Sequence, residues 1–413
     1  MTDRARDNAF LFRQPILNQK NELAGYELFL RRSGGGTDER GSGAALCAVY
    51  ADLGMRSALG HRSAFIGIDA AFLHQEAIEL LPHEGVVLEL LLDGIPDKDL
   101  LGRCRTLCER GYSLALTDYR GIDDRSRPLL PIVDVIKIDV QMAGESQLRD
   151  LAGSLRRLPI KLLAQGVDSQ EHLERCRKVG FQLFQGRYFA QAEIVSGRRL
   201  SASQTALIRL INLVGLDVDT PVIEDAFKHE PALTLNLLRV VNSVGHRGSR
   251  YAQPVTSLRQ AITLLGRRQI QRWLSLLLLA PANGSADPSG SALLQVAALR
   301  GRMMELLVEA TRVHDRKLSD LAFLAGVLSM MPLALGLPIE EILQQITVDR
   351  DLWTALCMHE GLLGTLLALL ECFDGDDAAG CDQLLTQVTG GLNHHTLNTC
   401  LSAALRWLHE NGA

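Results

Sequence analysis

The chain has 413 residues, of which 47% are hydrophobic and 22% charged, a composition typical of soluble globular proteins. Its formal net charge of −5 disfavours a nucleic-acid role that depends on a basic surface. The longest apolar run that we find, residues 273–282, is shorter than the roughly 20 residues needed to span a bilayer, so we expect no membrane contact. The eight cysteines are scattered and no signal-peptide pattern opens the chain, so we expect a reduced, cytoplasmic protein.

The first half alternates strand-like and helix-like segments. Eight strand candidates lie at residues 9–17, 23–31, 64–70, 85–92, 113–119, 135–140, 161–167 and 181–190. Most are near-continuous apolar runs separated by helical patterns such as 99–111, which is typical of a parallel sheet covered on both faces. Eight such strands within about 195 residues predict a compact α/β barrel. We place this domain at residues 1–196.

After about Gly197 the pattern changes to amphipathic helices. Apolar residues recur at three- and four-residue spacing in 206–215, 232–245 and 257–279. The stretch 281–291 is rich in Pro, Gly and Ser, which indicates a loop within this half. The sequence therefore predicts a second, all-helical domain at residues 197–413.

Short motifs follow one another at the ends of the predicted strands. In chain order they are Gln14-Pro15-Ile16, Glu27-Leu28-Phe29-Leu30-Arg31, Asp69, Glu89, Thr117-Asp118, Lys137-Ile138-Asp139, Gln165-Gly166-Val167-Asp168 and Gln185-Gly186. This series resembles the EAL domain, the family of cyclic di-GMP phosphodiesterases. The resemblance implies a modified (β/α) barrel whose strand ends hold two divalent cations and the nucleotide. It also implies nucleotide contacts at Gln14, Leu28, Arg31 and Gln185.

The same motifs depart from the family at the positions that would bind metal. Thr117 stands where the family has an acid that bridges both cations, Gln165 replaces a glutamate, and Leu92 replaces a second acid. Hard cations such as Mg²⁺ require several oxygen ligands, preferably anionic ones. Arg120 also adds positive charge in place of a glycine. We therefore expect no bound metal, no other cofactor and no catalysis in this barrel.

The positions that remain are read as remnants of the site. They are Glu27, Asp69, Glu89, Thr117, Asp118, Lys137, Asp139, Gln165 and Asp168. Isolated acids at strand ends also cap the following helices, so for Glu27, Glu89 and Asp118 a structural role is an equal alternative. Because a buried lysine needs an acidic partner, we expect Lys137 to pair with Glu89 or Asp118.

The second half resembles an HDOD domain, a helical relative of the HD phosphohydrolases that lacks their metal site. The matching pieces are "LRVVNS", "PVTSLRQAITLLG" and "AFLAGVLSMMPLALG". In the last of these, Ser329 and Met330 occupy the His-Asp positions, and neither is a good ligand for such a metal. The dipeptide His314-Asp315 precedes that helix, so we interpret it as a helix-end or loop pair.

Three functions are consistent with this sequence. The first is a catalytically inactive bacterial signalling protein that binds protein partners through its HDOD domain or its barrel surface; proteins of this architecture are associated with motility, biofilm and virulence control. The second is a metal-independent receptor in which Arg31 pairs with a phosphate of cyclic di-GMP. The third is a residual cyclic di-GMP phosphodiesterase. The first is our prediction.

Overall fold

A computed structural model of the chain describes residues 9–32, 50, 53–75, 78–79, 81–91, 94–141, 143–186, 202–216, 218–245, 255, 257–279, 292–311, 315–388 and 391–411. The predicted boundary at 196–197 and the predicted loop at 281–291 lie outside these residues, as do Leu92 and His314.

Eight strands close into a barrel in the order of the sequence. They are β1 Ala9–Asn18, β2 Leu23–Arg32, β3 Ser63–Asp69, β4 Val86–Leu91, β5 Ser113–Leu116, β6 Val135–Asp139, β7 Lys161–Gln165 and β8 Leu183–Gln185. Strand β1 is antiparallel to both of its neighbours, β2 and β8, whereas the pairs from β2 to β8 are parallel. Every strand candidate of the sequence is thus confirmed, and the (β/α) barrel with it.

Helices cover the barrel between its strands. They are α1 Met55–Leu59, α2 Ala70–Leu73, α3 Lys98–Glu109, α4 Glu145–Leu155 and α5 Gln170–Val179. Helix α5 shows why the chain turns where it does: Ser169 caps its first turn, and Gly180 ends it in the left-handed conformation with φ of 106°. Because β2 to β8 run in parallel, their carboxyl ends meet on one face, which we call the carboxyl-end face.

The second half is all-helical, as predicted. Its helices are α6 Ala202–Gly215, α7 Thr220–Lys228, α8 Pro231–Gly245, α9 Leu258–Leu278, α10 Ala292–Ala310, α11 Arg316–Leu328, α12 Met331–Leu335, α13 Ile339–Leu343, α14 Arg350–Met358, α15 Gly361–Asp374, α16 Ala378–Gln387 and α17 His394–Asn411. Gly266, with φ of 73° and ψ of 159°, divides α9 into two helical stretches. Gly301 and Gly326 let α10 and α11 approach so closely that a Cβ on Gly326 would lie 2.7 Å from the Gly301 Cα.

Two stretches of this half are long and apolar enough to cross a membrane, namely 316–335 and 350–374. Both are longer than residues 273–282, which the sequence alone marks as the longest apolar run. About half of each stretch is buried among other helices, 56% and 44% respectively. Core helices of soluble proteins have the same length and composition, so these two stretches are weak support for a membrane span.

Candidate functional site

The interior of the barrel changes from apolar to charged toward the carboxyl-end face. Its lower part is filled by Ile16, Phe65, Val87, Ala115, Val135 and Leu163, with Leu183 packed against them. Above them, alternate strands β2, β4, β6 and β8 contribute Glu27, Glu89, Lys137 and Gln185, all buried. Alternate strands supply each layer of a barrel interior, so these four side chains form one polar layer.

Lys137 lies at the centre of this layer, between two carboxylates. Its Nζ is 2.7 Å from Glu27 Oε2 and 2.9 Å from Glu89 Oε1. Lys137 is 2% exposed and Glu89 is not exposed at all. The predicted pair with Glu89 is therefore present, while the second partner is Glu27 rather than Asp118. Removing one member of such a desolvated cluster leaves an uncompensated charge, so we regard the three residues as one unit, the Lys137 cluster.

Burial and charge shift the ionisation of the Lys137 cluster. Burial, followed by the neighbouring carboxylate of Glu27, raises the pKa of Glu89 to about 7, although Lys137 acts in the opposite direction. Burial alone would lower the pKa of Lys137, but the two carboxylates outweigh it and raise that pKa. Lys137 therefore stays charged, whereas Glu89 exchanges its proton near neutral pH.

The end of β5 carries a hydroxyl in place of an acid. Thr117 is buried, and its Oγ1 donates to the Leu90 carbonyl oxygen at 3.1 Å. Asp118 is exposed and has a φ of 52°. The guanidinium of Arg125 donates to the backbone oxygens of Thr117 (3.3 Å) and Asp118 (3.0 Å). The loop after β5 is thus held by an arginine that the sequence analysis did not single out, while Arg120 is exposed.

The remaining acids at the strand ends mostly bind backbone or side-chain amides. Asp69 Oδ1 accepts from the Phe72 N–H at 2.7 Å and caps α2. Asp139 Oδ1 accepts from the Gln141 N–H at 2.9 Å, and the Gln141 side chain donates to Asp168 Oδ2 at 2.5 Å. Asp69 therefore caps a helix, whereas Asp139 and Asp168 both bind the loop residue Gln141. Gln165, half-buried, lies beside Asp139 and Gln185 in the register of the sheet.

The four residues named for nucleotide contact occupy different surroundings. Gln14 is half-buried and accepts from Gln185 Nε2 at 2.6 Å, while Gln185 also donates to Glu27. Arg31 lies on the same side of β2 as Glu27, with its guanidinium 5.7 Å from the Phe29 ring centre. Leu28 is fully buried on the opposite side of β2. Gln14 and Arg31 are therefore the two that border the carboxyl-end face.

The geometry does not fit a pair of divalent cations. Among the residues that the structure describes, no group of three or more His, Cys, Asp or Glu side chains converges as metal ligands. Inside the barrel, Glu27 and Glu89 lie together, but both bind the Lys137 ammonium. A dication needs several oxygen ligands at close range. In this arrangement the ammonium takes the position that a cation would need.

The helical half carries an arginine at the positions that resemble the His-Asp site. Arg300 Nη1 donates to Ser329 Oγ at 3.0 Å, and its Nε and Nη2 reach Asp374 Oδ2 at 3.0 and 2.8 Å. Met330 is buried. At these positions a guanidinium held by Asp374 therefore lies beside the neutral side chain of Ser329. Sequence reasoning missed Arg300 and Asp374, which are 74 residues apart and show no joint motif.

Comparisons with known proteins agree with this architecture. The model of the EAL domain family matches residues 61–192, and the model of the HDOD domain family matches residues 201–349. Cyclic di-GMP phosphodiesterase CdgJ of Vibrio cholerae serotype O1 is 29% identical to this chain over an alignment of 414 residues. The alignment covers 97% of this chain and 92% of that protein. The uncharacterized protein YuxH of Bacillus subtilis strain 168 is 26% identical, over 97% of this chain and 98% of that protein.

Solved structures with the same barrel are more distant. The cyclic di-GMP-bound form of a standalone EAL protein from Vibrio cholerae O395 is 21% identical, with a TM-score of 0.39; the match covers 46% of this chain and 93% of that chain. The two family matches fall in order on the barrel and on the helical half, so the chain has an EAL domain followed by an HDOD domain.

One prediction from the sequence is contradicted. We expected the chain not to be an enzyme, but CdgJ, which is similar to it through both halves, is a cyclic di-GMP phosphodiesterase. The prediction counted ligand types lost at single positions. Such a count does not show which of the remaining acids lie close together. In the structure, Glu27 and Glu89 both bind the Lys137 ammonium inside the barrel.

Proposed function

We propose that this chain is a cyclic di-GMP phosphodiesterase of the EAL–HDOD type, acting in cyclic di-GMP signalling. One observation carries the proposal: the similarity to CdgJ spans 97% of this chain and 92% of that relative, through barrel and helices alike. A match confined to one half would support a shared module only, whereas this one supports a shared activity of the whole protein. The substrate would bind at the carboxyl-end face, where ligands of such barrels bind.

The carboxyl-end face offers groups suited to a phosphodiester. Arg31 and Gln14 border the face, and a guanidinium pairs well with phosphate oxygens. Gln185 supports Gln14 from below by a hydrogen bond of 2.6 Å. One layer deeper, Glu89 has a pKa of about 7, because of its burial and its neighbour Glu27, and so exchanges a proton at neutral pH. We assign substrate contact to Arg31 and Gln14, and proton exchange to Glu89.

The direct test is hydrolysis by the purified full-length chain. Incubation with cyclic di-GMP in the presence of Mg²⁺ or Mn²⁺ is expected to yield the linear dinucleotide, resolved by chromatography. Glu27→Gln should abolish turnover because it breaks the Lys137 cluster, whereas Glu109→Gln, at an exposed position on α3, should leave it unchanged. Absence of product from wild-type protein at stoichiometric enzyme, with either metal, would contradict the proposal.

We further propose that the helical half contacts a protein partner in the cytoplasm. Helices α7, α8 and α9 pack against one another and expose large apolar side chains at Val222, Leu235 and Leu264. Contiguous apolar patches mark interaction sites on soluble proteins, and we assign that role to these three helices. In crosslinking mass spectrometry from the native cell, a protein joined to the wild type should be lost from Leu235→Asp but not from Ile95→Asp. Equal crosslinking of both variants would contradict this.

A further inference from the structure

The amino-terminal part of β1 is enclosed by helices of the second half. Asn398 of α17 donates from Nδ2 to the Ala9 carbonyl and accepts from the Leu11 N–H through Oδ1, both at 2.8 Å. Strand β8 pairs with β1 only from Ile16 to Asn18, so the side-chain amide of Asn398 takes the place of a neighbouring strand at the other end. A buried strand edge needs such partners.

The next residues of β1 are held by α15. Arg13 Nη2 lies 3.1 Å from Asp374 Oδ1, its guanidinium carbon is 5.8 Å from the Phe373 ring centre, and the Phe12 ring is 5.1 Å from the same ring. Arg13 is 5% exposed. Asp374 therefore joins two buried guanidiniums, Arg13 of the barrel and Arg300 of the helical half. Because Arg13 and Arg300 are buried and Asp374 is only 16% exposed, removing the carboxylate would leave two guanidiniums without this partner.

The carboxyl-terminal part of β1 belongs to the barrel. Gln14 pairs with Glu27 across β1 and β2, and its side chain accepts from Gln185. Gln185 in turn donates to Glu27, which accepts from Lys137. Residues 13 and 14 are adjacent in an extended strand and point to opposite sides. One peptide unit thus separates a side chain held by the helical half from a side chain at the carboxyl-end face.

We propose that Asp374 and Asn398 are positioning residues for the carboxyl-end face, acting through β1 to hold Gln14. This role rests on the proposed function, because it concerns the binding of cyclic di-GMP at that face. Both residues lie beyond 349, where the match to the HDOD domain family ends. Helices α15 and α17 then hold the first strand of the barrel in place, in addition to forming part of the helical half.

The test uses full-length Asp374→Asn, which keeps the side-chain shape and removes the charge that pairs with Arg13. In the ligand-free protein, amide hydrogen exchange in residues 14–18 should accelerate by about tenfold, while β4 to β6 keep their protection. The Kd for cyclic di-GMP, measured by calorimetry, should rise by about fivefold to tenfold. Asp374→Glu restores the charge and should return both values toward wild type. Asp351→Asn, at an exposed position on α14, is the matched control.

Two results would overturn the role. The first is unchanged exchange in residues 14–18 of Asp374→Asn. The second is accelerated exchange spread over the whole helical half without recovery in Asp374→Glu, which would mark Asp374 as general packing. If wild-type protein binds no cyclic di-GMP, the proposed function fails, and the exchange of residues 14–18 still decides whether α15 holds β1.

Discussion

The two halves differ in the side chains that lie at the positions resembling metal sites. In the barrel, the acids Glu27 and Glu89 are kept and an ammonium from Lys137 lies between them. In the helical half, the His-Asp positions hold Ser329 and Met330, and the Arg300 guanidinium lies against Ser329. The barrel therefore keeps two acids that share one ammonium, whereas Ser329 and Met330 of the helical half are neutral and the nearby Asp374 pairs with arginines. The sequence shows substitutions in both halves, whereas the structure shows that the side chains at these positions have different partners in each half.

The largest effect is expected from Lys137→Met. Removing the ammonium leaves two buried carboxylates together, which should lower the free energy of unfolding by about 3–5 kcal/mol in metal-free buffer. Mn²⁺ should restore about 2–3 kcal/mol when present at roughly 100 times its Kd, because it then binds only the folded form. Urea unfolding with and without Mn²⁺ measures both changes.

Lys161→Met serves as the control for that variant, since Lys161 is an exposed lysine on β7. It should change the free energy of unfolding little, with or without Mn²⁺. If Mn²⁺ stabilises the wild type as strongly as it stabilises Lys137→Met, Lys137 does not compete with the cation. That result would contradict our interpretation of the barrel.

A smaller, unrescued effect is expected from Arg300→Met. The substitution leaves Asp374 with Arg13 alone and should lower the free energy of unfolding by about 3 kcal/mol. No divalent cation should reverse the loss, because Asp374 stays paired with Arg13 while Ser329 and Met330 are neutral. Arg209→Met, at an exposed position on α6, is the comparison variant for thermal unfolding. Recovery of Arg300→Met with Mn²⁺ would show a metal site in the helical half after all.

The smallest effect, taken per pH unit, is the pH dependence from Glu89. Burial beside Glu27 raises its pKa from 4.5 to about 7, so the folded protein binds a proton that the unfolded chain has already released in this range. The contribution of Glu89 is therefore fully present below pH 4.5 and is lost as the pH rises to about 7. Relative to Glu89→Gln, wild-type stability should fall by up to about 1.4 kcal/mol per pH unit in that window. If the free energy of unfolding depends on pH in the same way in both proteins, the raised pKa of Glu89 is contradicted.

Much of the barrel could be predicted because strands and their ends leave local signals. The apolar runs located all eight strands, and the need of a buried lysine for an acid pointed from Lys137 to Glu89. The partnership of Asn398 with Leu11 spans 387 positions, and no local pattern marks it. The expectation of no catalysis failed for a related reason: substitutions such as Thr117 and Gln165 are visible one at a time, whereas the cluster formed by the retained acids appears only in three dimensions.

Binding of cyclic di-GMP at the carboxyl-end face is the central claim, and a blocking variant tests it most directly. Gln165→Trp places a large ring at the carboxyl end of β7, while Lys161→Trp places the same ring at the opposite end of the same strand. In calorimetric titrations of full-length protein, wild type and Lys161→Trp should bind cyclic di-GMP equally, and Gln165→Trp should bind at least about tenfold more weakly. No binding by the wild type, or equal affinity in all three proteins, would contradict the account.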